Sequence, residues 1–416
     1  VTGKRCARAA PVRPGSAHRL RLPEPVGGCR YLVFVQLRYN YRVYPTPGQR
    51  QALARAFGCA RVVYNDGLRA RLQARAEGVG YIPDTELQKR VITAAKRTPE
   101  RAWLAGVSSV VLVQALADLH TAYRNFFGSV TGRRKGPKVA SPRYRSRKDN
   151  RQAIRLTRNG FTLRPSGRLY VAKIGELRVA WSRTLPTVPS SVTIVKDATG
   201  RYFASFVVQV EDRPLPGATA EVGIDLGLTT FAVLSDGTMI ASPRFFRRAE
   251  RRLRKAQQAL SRKQKGSANR GKARLRVARA HARVADTRRD WVHKHTTQII
   301  RDNQAVYVED LCVKGLARTR LAKSIQDAGW GMFIRLLAEK ATRCGRHFAK
   351  VDRFYPSSQL CSVCGHRDGP KPLHVRTWTC RCGAVHDRDR NASINILAAG
   401  RAERLNACGG TVSLSV

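Results

Sequence analysis

A chain of 416 residues with 43% hydrophobic content carries enough apolar side chains for several packed domains, which excludes a disordered basic tail. Its 78 Lys and Arg against 28 Asp and Glu leave a formal charge of +50, a self-repulsion that a bound polyanion relieves, so nucleic acid is the expected partner. No run of about 18 or more apolar residues and no basic-then-apolar leader occurs, so the chain reads as soluble and cytoplasmic, with no membrane partner.

Residues 1–31 are rich in Pro, Arg and Gly without periodicity and read as disordered, or as an extension from a start codon placed too far upstream. Tyr31 to Tyr44 (YLVFVQLRYNYRVY) has the β-branched and aromatic content of a strand. Thr46, Pro47 and Gln49 then supply an N-cap, a first-turn proline and a capping-box partner, and Leu53, Phe57, Ala60 and Tyr64 recur at helical spacing. Further helices are expected near Asp84–Ala95 and over Thr98–Phe127, with Pro99 marking the start of the latter. The segment GRRKGPKVASPRYRSRKDNR, Gly132 to Arg151, is dense in Lys and Arg, broken by Gly and Pro, and suited to phosphate contact.

From Gln152 to Val210 short strand patterns (AIRL, FTL, RLYVA, LRVAW, VTIV, YFASFVVQV) alternate with turns. The lone strand before the helices is expected to pair into this later sheet, making the helical block an insertion in a small barrel. Glu221 to Ser235 opens another unit in which Gly223, Asp225 and Gly227 share one strand face and Val222, Ile224 and Leu226 the other. That acidic face, bare of bulk, suits a metal with a nucleic-acid backbone against it.

Phe245 to Asn303 reads as two basic helices with a break near Gly266–Gly271. Acids are too scarce there for many i,i+4 pairs, so bound polyphosphate would remove the repulsion. Ala305 to Leu311 is a strand with Ala305, Tyr307 and Glu309 on one face. Gly329–Gly345 is an amphipathic helix with core aromatics, His347–Phe354 a strand, and Gly400 the expected end of a helix beginning near Asn391.

Ten cysteines in a chain of this length do not suggest a secreted disulfide framework. Cys361 and Cys364 form a C-x-x-C-G hook and Cys380 and Cys382 a C-x-C-G hook, so four thiolates can converge on one tetrahedral ion, with zinc expected. Cys6, Cys29, Cys59, Cys312, Cys344 and Cys408 are scattered and take no role. His281, His293, His295 and His386 read as surface histidines or as supports beside the cysteines.

Asp225, Glu309 and one of Asp387 or Asp389 lie far apart in sequence, and a ribonuclease-H architecture is one that brings a first strand, a later strand and a C-terminal helix together. Three carboxylates without another base suit two Mg²⁺ ions and phosphodiester hydrolysis.

GIDLGLTTFAVLSDG, VEDLCVKGL, YPSSQLCSVCG and WTCRCGAVHDRDRNASINILAAG resemble, in order, the signatures of the transposon-associated TnpB (OrfB) family, relatives of type V CRISPR effectors. YRVYPTPGQRQAL, ARVVYNDGL and LSRKQKGSANRGKAR are similar to the family too. The resemblance implies a multidomain α+β protein. Its parts would be a wedge β-barrel (32–46 and 152–213) interrupted by a helical recognition lobe and basic loop (47–151), and an RNase H-like RuvC domain (218–355 and 387–400) interrupted by a zinc ribbon (356–386), with a C-terminal tail (401–416). It further implies an RNA-guided DNA endonuclease of an insertion sequence. Such a protein binds a transposon-end guide RNA and cuts double-stranded target DNA beside a short adjacent motif.

Carried over by motif, Asp225 and Glu309 match the first two catalytic Mg²⁺ ligands, and Asp389 of D-R-D-x-N the third, with Asp387 its competitor. Cys361, Cys364, Cys380 and Cys382 match the ligands of a structural Zn²⁺. The single residue within the second hook departs from the two that many relatives have. The alternatives are a transposase or recombination protein of the same fold class, and an RNA-guided DNA binder without cleavage.

Overall fold

The computed structural model describes residues 34–149, 151–211, 214–372 and 374–407, so the expected disorder of residues 1–31 falls outside the described part. Strand β1 (Phe34–Tyr44) leads into helix α1 (Pro47–Ala76) through the expected capping box. Thr46 N donates to Gln49 Oε1 at 3.0 Å and Gln49 N to Thr46 Oγ1 at 3.4 Å, satisfying two otherwise free backbone donors. Helix α2 (Asp84–Gln88) runs on as a π turn and a 3₁₀ turn to Arg97.

Pro99 does not start the next helix. Residues 98–108 form turns with a short 3₁₀ segment, and α3 (Ser109–Val130) begins later. Val107 holds an extended backbone and a buried side chain just before it, so core packing wins over helix continuation. Leu53, Leu68, Leu87, Leu104, Leu112 and Leu119 fill the helical core. A Cβ on Gly67 would stand 2.8 Å from Leu116 Cδ2, so glycine lets α1 lie against α3.

Strands β2 (Gln152–Thr157), β3 (Phe161–Leu163), β4 (Leu169–Val171), β5 (Gly175–Ala180), β6 (Ser191–Lys196) and β7 (Tyr202–Glu211) join β1 in the sheet order β2-β6-β7-β1-β5-β4-β3. β1 pairs antiparallel with β7 from Phe34↔Glu211 to Val43↔Tyr202, and with β5 at Arg42↔Ala180. The first strand therefore does enter the later sheet, with the helices inserted between. β2 and β3 are the two edges, yet only Arg158–Gly160 separates them, so the sheet must curl until its edges nearly meet. Tyr41, Leu156, Leu169, Val192 and Phe206 fill this barrel-like sheet, whose apolar core is continuous with that of the helices.

The second half is built on strands β8 (Glu221–Leu226), β9 (Thr230–Leu234) and β10 (Met239–Ala241), helices α4 (Phe245–Ser261) and α5 (Ala268–Asp302), and strand β11 (Ala305–Glu309). Helices α6 (Val313–Leu316), α7 (Ala322–Ala328) and α8 (Trp330–Arg343) and strand β12 (His347–Val351) complete its core. The sheet order is β10-β9-β8-β11-β12, antiparallel from β8 to β10 and parallel from β8 through β11 to β12. A two-stranded ribbon, β13 (Thr377–Thr379) with β14 (Val385–Asp387), precedes the last helix, α9 (Arg388–Ala407).

Side-chain alternation along β11 divides the two faces of this sheet. Val306 and Val308 pack with Ile299, Phe333 and Leu337 of α5 and α8, while Ala305 and Tyr307 pack with Ile396 of α9. Gly400 does not end α9. It lies in mid-helix, where a Cβ would stand 2.1 Å from Tyr307 Cδ1, so its missing side chain serves close packing and not a helix stop. The space over Gly223 is likewise taken by protein and not left for a nucleic-acid backbone: a Cβ there would meet Ser393 O at 2.2 Å and Leu397 N at 2.5 Å. No helix among the described residues is long and apolar enough to cross a membrane.

Candidate metal centres

Three elements remote in sequence carry Asp225, Glu309 and Asp389 within electrostatic reach of one another. β8 and β11 pair in parallel with Val308 opposite Ile224, so the next residues, Glu309 and Asp225, leave adjacent strands at the same end of the sheet. α9 crosses that sheet at the two glycine contacts, and Asp389 lies in its first turn. Asp225 is hemmed in by protein while keeping a partly exposed surface. Loss of hydration, followed by the like charges of Glu309 and Asp389, pushes its pKa well above the usual aspartate value. No Arg or Lys among the described residues forms an ion pair with it. Arg388 and Arg376 offset part of that repulsion, and among the described residues the four cysteines are the one group whose ligand atoms come together closely enough to hold an ion, so the three acids are a charge-coupled set of the hard oxygen donors that a divalent ion such as Mg²⁺ takes.

Each of the other carboxylates has an organic partner. Ser357 Oγ donates to Glu309 Oε1 at 2.6 Å. Arg376, on the loop before β13, reaches both oxygens of Asp389 at 3.2 Å. Asp387 does different work, since its Oδ1 accepts from Arg390 N at 2.8 Å and caps α9. Ser357 lies in the PSSQ run and Arg376 in the ribbon. Neither carries a sequence signal of its own, because each depends on a partner more than ten residues away.

The cysteine hooks converge. The Sγ atoms of Cys361, Cys364, Cys380 and Cys382 all lie within 4.8 Å of one another, with Cys361–Cys382 at 3.8 Å and Cys364–Cys380 at 3.7 Å. Zn–S bonds of about 2.3 Å in a tetrahedron give edges of about 3.8 Å, so this set fits a zinc ion, short second hook included. Gly365 (φ 73°) and Gly383 (φ 85°) turn the chain after each hook in the left-handed region, which is why each Cys pair ends in glycine. Burial opposes ionisation of Cys361, but the backbone N–H groups of Cys364 and Val363 and the His386 ring prevail and lower its pKa to about 6. Cys380, although a backbone N–H of Cys382 favours its thiolate, is pushed up to about 12 by burial and its neighbouring cysteines. Four thiolates share this space only with a cation among them.

Comparison with known proteins agrees with this layout. Residues 205–320 match the OrfB_IS605 family described as "Probable transposase", residues 330–396 a "Cas12f1-like, TNB domain", and residues 35–79 a "Helix-turn-helix domain". A Streptomyces pristinaespiralis protein named "Putative RNA-guided DNA endonuclease" is 46% identical over 382 residues, covering 90% of this chain and 91% of that protein. The chain belongs to the OrfB (TnpB) family. The similarly named InsQ of Escherichia coli K12 is 31% identical, covering 90% of this chain and 94% of its own. The solved chain of a Cas12f1–sgRNA–target DNA complex shares the fold at TM-score 0.52 and 11% identity, over 88% of this chain and 98% of that one. In this TnpB-family chain the 35–79 span is not a helix-turn-helix but a strand and one 30-residue helix.

The basic segments of this family member line connected clefts. Arg248 and Arg252 of α4 face Arg276, Arg279 and Arg283 of α5 across a cleft of about 750 Å³ floored by Phe245 and Val284. None of these five guanidinium groups has an ion-pair partner among the described residues. Arg279 and Arg283 also line a second cleft, of about 620 Å³, against Arg42 and Arg50 at the end of the barrel. Asp286, the acid lining that cleft, pairs with Arg201, which also holds Asp197. The i,i+4 spacing of Arg248 with Arg252 and of Arg279 with Arg283 was a readable sign of these rows; their meeting across two helices was not.

Proposed function

We propose that this chain is an RNA-guided, Mg²⁺-dependent DNA endonuclease of an insertion sequence, hydrolysing a phosphodiester of target DNA at the Asp225–Glu309–Asp389 centre. The observation that carries this reading is the electrostatic coupling of Asp225 with Glu309 and Asp389 at one end of the sheet, with no ion pair to Asp225 among the described residues. In this reading the five-stranded sheet with α9 is an RNase H-like RuvC domain, residues 218–355 with 387–400, and the ribbon at 356–386 is held by a structural Zn²⁺. The barrel-like sheet, 32–46 with 152–213, is the wedge, and 47–151 is the recognition lobe.

Bound at the trio, Mg²⁺ would supply the Lewis-acid stabilisation and activated water of phosphodiester hydrolysis. The chain's own part is positional. Asp225 and Glu309 are fixed on rigid parallel strands, and Asp389 is carried by a helix that two glycines seat on the sheet. The arginine rows of α4 and α5 hold a phosphodiester backbone through charge, which neutralises part of the +50 excess. Names of relatives support RNA guidance and DNA as the substrate. A guide RNA transcribed from the transposon end completes the reading.

The test is purification of the expressed protein with its RNA, followed by incubation with a plasmid bearing the guide-matched sequence and Mg²⁺. RNA-dependent cutting by the parent, lost in Asp225→Ala while the RNA is retained, is the expected result. Cutting without RNA returns the chain to a transposase-type reading of the same centre.

A further inference from the structure

Between the cysteine knuckle and α9 lies a set of buried polar side chains that the cleavage chemistry does not use. Asn391 and Asn395 are 1% and 5% exposed, and Ser357 is 5% exposed. The two asparagines are one turn apart on the same face of α9. Asn391 Nδ2 donates to Leu360 O at 2.7 Å and its Oδ1 accepts from Ser362 N at 2.9 Å. Asn395 Nδ2 donates to Leu360 O and to Ser357 O, both at 2.8 Å. The segment 357–362, which contains Cys361, is thereby pinned to α9 at three backbone groups.

The same segment reaches the carboxylates directly, through the 2.6 Å bond from Ser357 Oγ to Glu309 Oε1. On the other side of the knuckle, His386 Nε2 stands 3.0 Å from Cys361 Sγ, and its neighbour Asp387 caps α9 one turn before Asn391. An apolar side chain would fill these buried positions without fixing direction. Amides held by several directed hydrogen bonds fix both distance and rotation, and a buried amide left without its partner is strongly disfavoured.

We propose that Ser357, Asn391 and Asn395 are positioning residues that make the placement of Glu309 and Asp389 depend on the metal-loaded cysteine knuckle. Cys361 would tie residues 357–362 to a zinc ion held with Cys364, Cys380 and Cys382. Through the asparagines that segment sets the height and rotation of α9, and through Ser357 it aims Glu309. The proposal rests on the reading of Asp225, Glu309 and Asp389 as a divalent-cation site.

The experiment uses the full-length chain and reads Mn²⁺ binding by electron paramagnetic resonance, a measure independent of cleavage. The parent is compared with and without its zinc, and Ser357→Ala, Ser357→Thr and Asn391→Ala/Asn395→Ala are compared with it, each checked for folding by circular dichroism. Zinc removal is expected to weaken Mn²⁺ binding by the parent several-fold. Ser357→Ala with its zinc in place is expected to weaken it to a similar degree, with Ser357→Thr restoring it. The double asparagine variant is expected to bind Mn²⁺ weakly whether or not zinc is present. Mn²⁺ binding by the parent that zinc removal and Ser357→Ala both leave unchanged overturns the clamp alone. A zinc-loaded parent that binds no Mn²⁺ in an Asp225-dependent way overturns the carboxylate reading, and the clamp with it.

Discussion

Asp387 and Asp389 stand two residues apart at the head of α9 and serve different partners: Asp387 Oδ1 accepts the Arg390 amide at 2.8 Å, while Asp389 acts on Asp225 by like charge and accepts from the single Nη1 of Arg376 at both its oxygens. Asp387 closes β14 and Asp389 lies within the first turn of α9, so the backbone gives the two acids different places. Asp387→Ala is expected to lose a helix cap, about 1 kcal/mol of stability, with cleavage within a few-fold of the parent, and Asp387→Ser to recover the loss. Asp389→Ala is expected to lower cleavage by more than about 100-fold with little change in melting temperature, because a cation ligand supplies several kcal/mol of charge stabilisation. Thermal melts and plasmid cleavage on the same preparations check both; equal damage from the two substitutions would remove the distinction.

The raised pKa of Asp225 has a definite sign for stability. In the metal-free folded state the group holds its proton at pH values where the unfolded chain, with an aspartate pKa of about 3.9, has released it. The stability it contributes is therefore complete below that ordinary value and is lost as the pH rises through the raised folded one. Asp225→Asn removes the effect. In Mg²⁺-free buffer the variant is expected to melt above the parent at pH 8, with the gap closing as the pH falls. Adding Mg²⁺ is expected to raise the melting temperature of the parent and leave the variant unmoved. Superimposable melts of the two proteins across this range would contradict the crowded-carboxylate account.

Gly223 and Gly400 set the distance between α9 and the sheet. Their Cβ atoms would fall 2.2 Å from Ser393 O and 2.1 Å from the ring of the fully buried Tyr307. Gly223→Ala and Gly400→Ala are each expected to cost about 1–3 kcal/mol or more, since overpacking forces backbone to move, and to reduce cleavage beyond the loss of folded protein. Gly48, in the first turn of α1 with nothing within 4 Å of its Cβ position, is the control. Gly48→Ala is expected to leave stability unchanged or raise it by about 0.4–1 kcal/mol. Denaturant midpoints distinguish these outcomes.

The arginine rows of α4 and α5 are expected to act by charge. Arg279→Glu with Arg283→Glu, at the ridge between the two clefts, is expected to strip RNA from the purified protein. Milder Arg→Gln changes should reduce the dependence of log K on log salt by at most about one for each phosphate no longer neutralised. Because neither arginine belongs to an apolar core, circular dichroism is expected to be unchanged. RNA retained at parental level by the charge-reversed protein would exclude these clefts as its seat.

Much of the fold was legible because it depends on local chemistry. The Thr46–Gln49 box, the strand patterns from Gln152 to Val210, the break before α5 and the alternation along β11 each follow from residues within a few positions of one another. Where expectation failed, a remote packing partner decided the outcome. Pro99 was overridden by burial of Val107, Gly400 belongs under Tyr307, and the bare face at Gly223 is covered by α9.

For the candidate centres, the sequence alone determined which ligand types the chain offers: four soft thiolates in glycine-ended hooks and a few acids in a chain short of them, because ligand type and hook spacing are covalent properties. Tertiary structure alone decided which acids act on one another. The parallel register of β8 with β11, the glycine seats of α9 and the Ser357–Glu309 bond join positions up to about 170 residues apart, and free energies of that kind exist only once the distant surfaces are packed together.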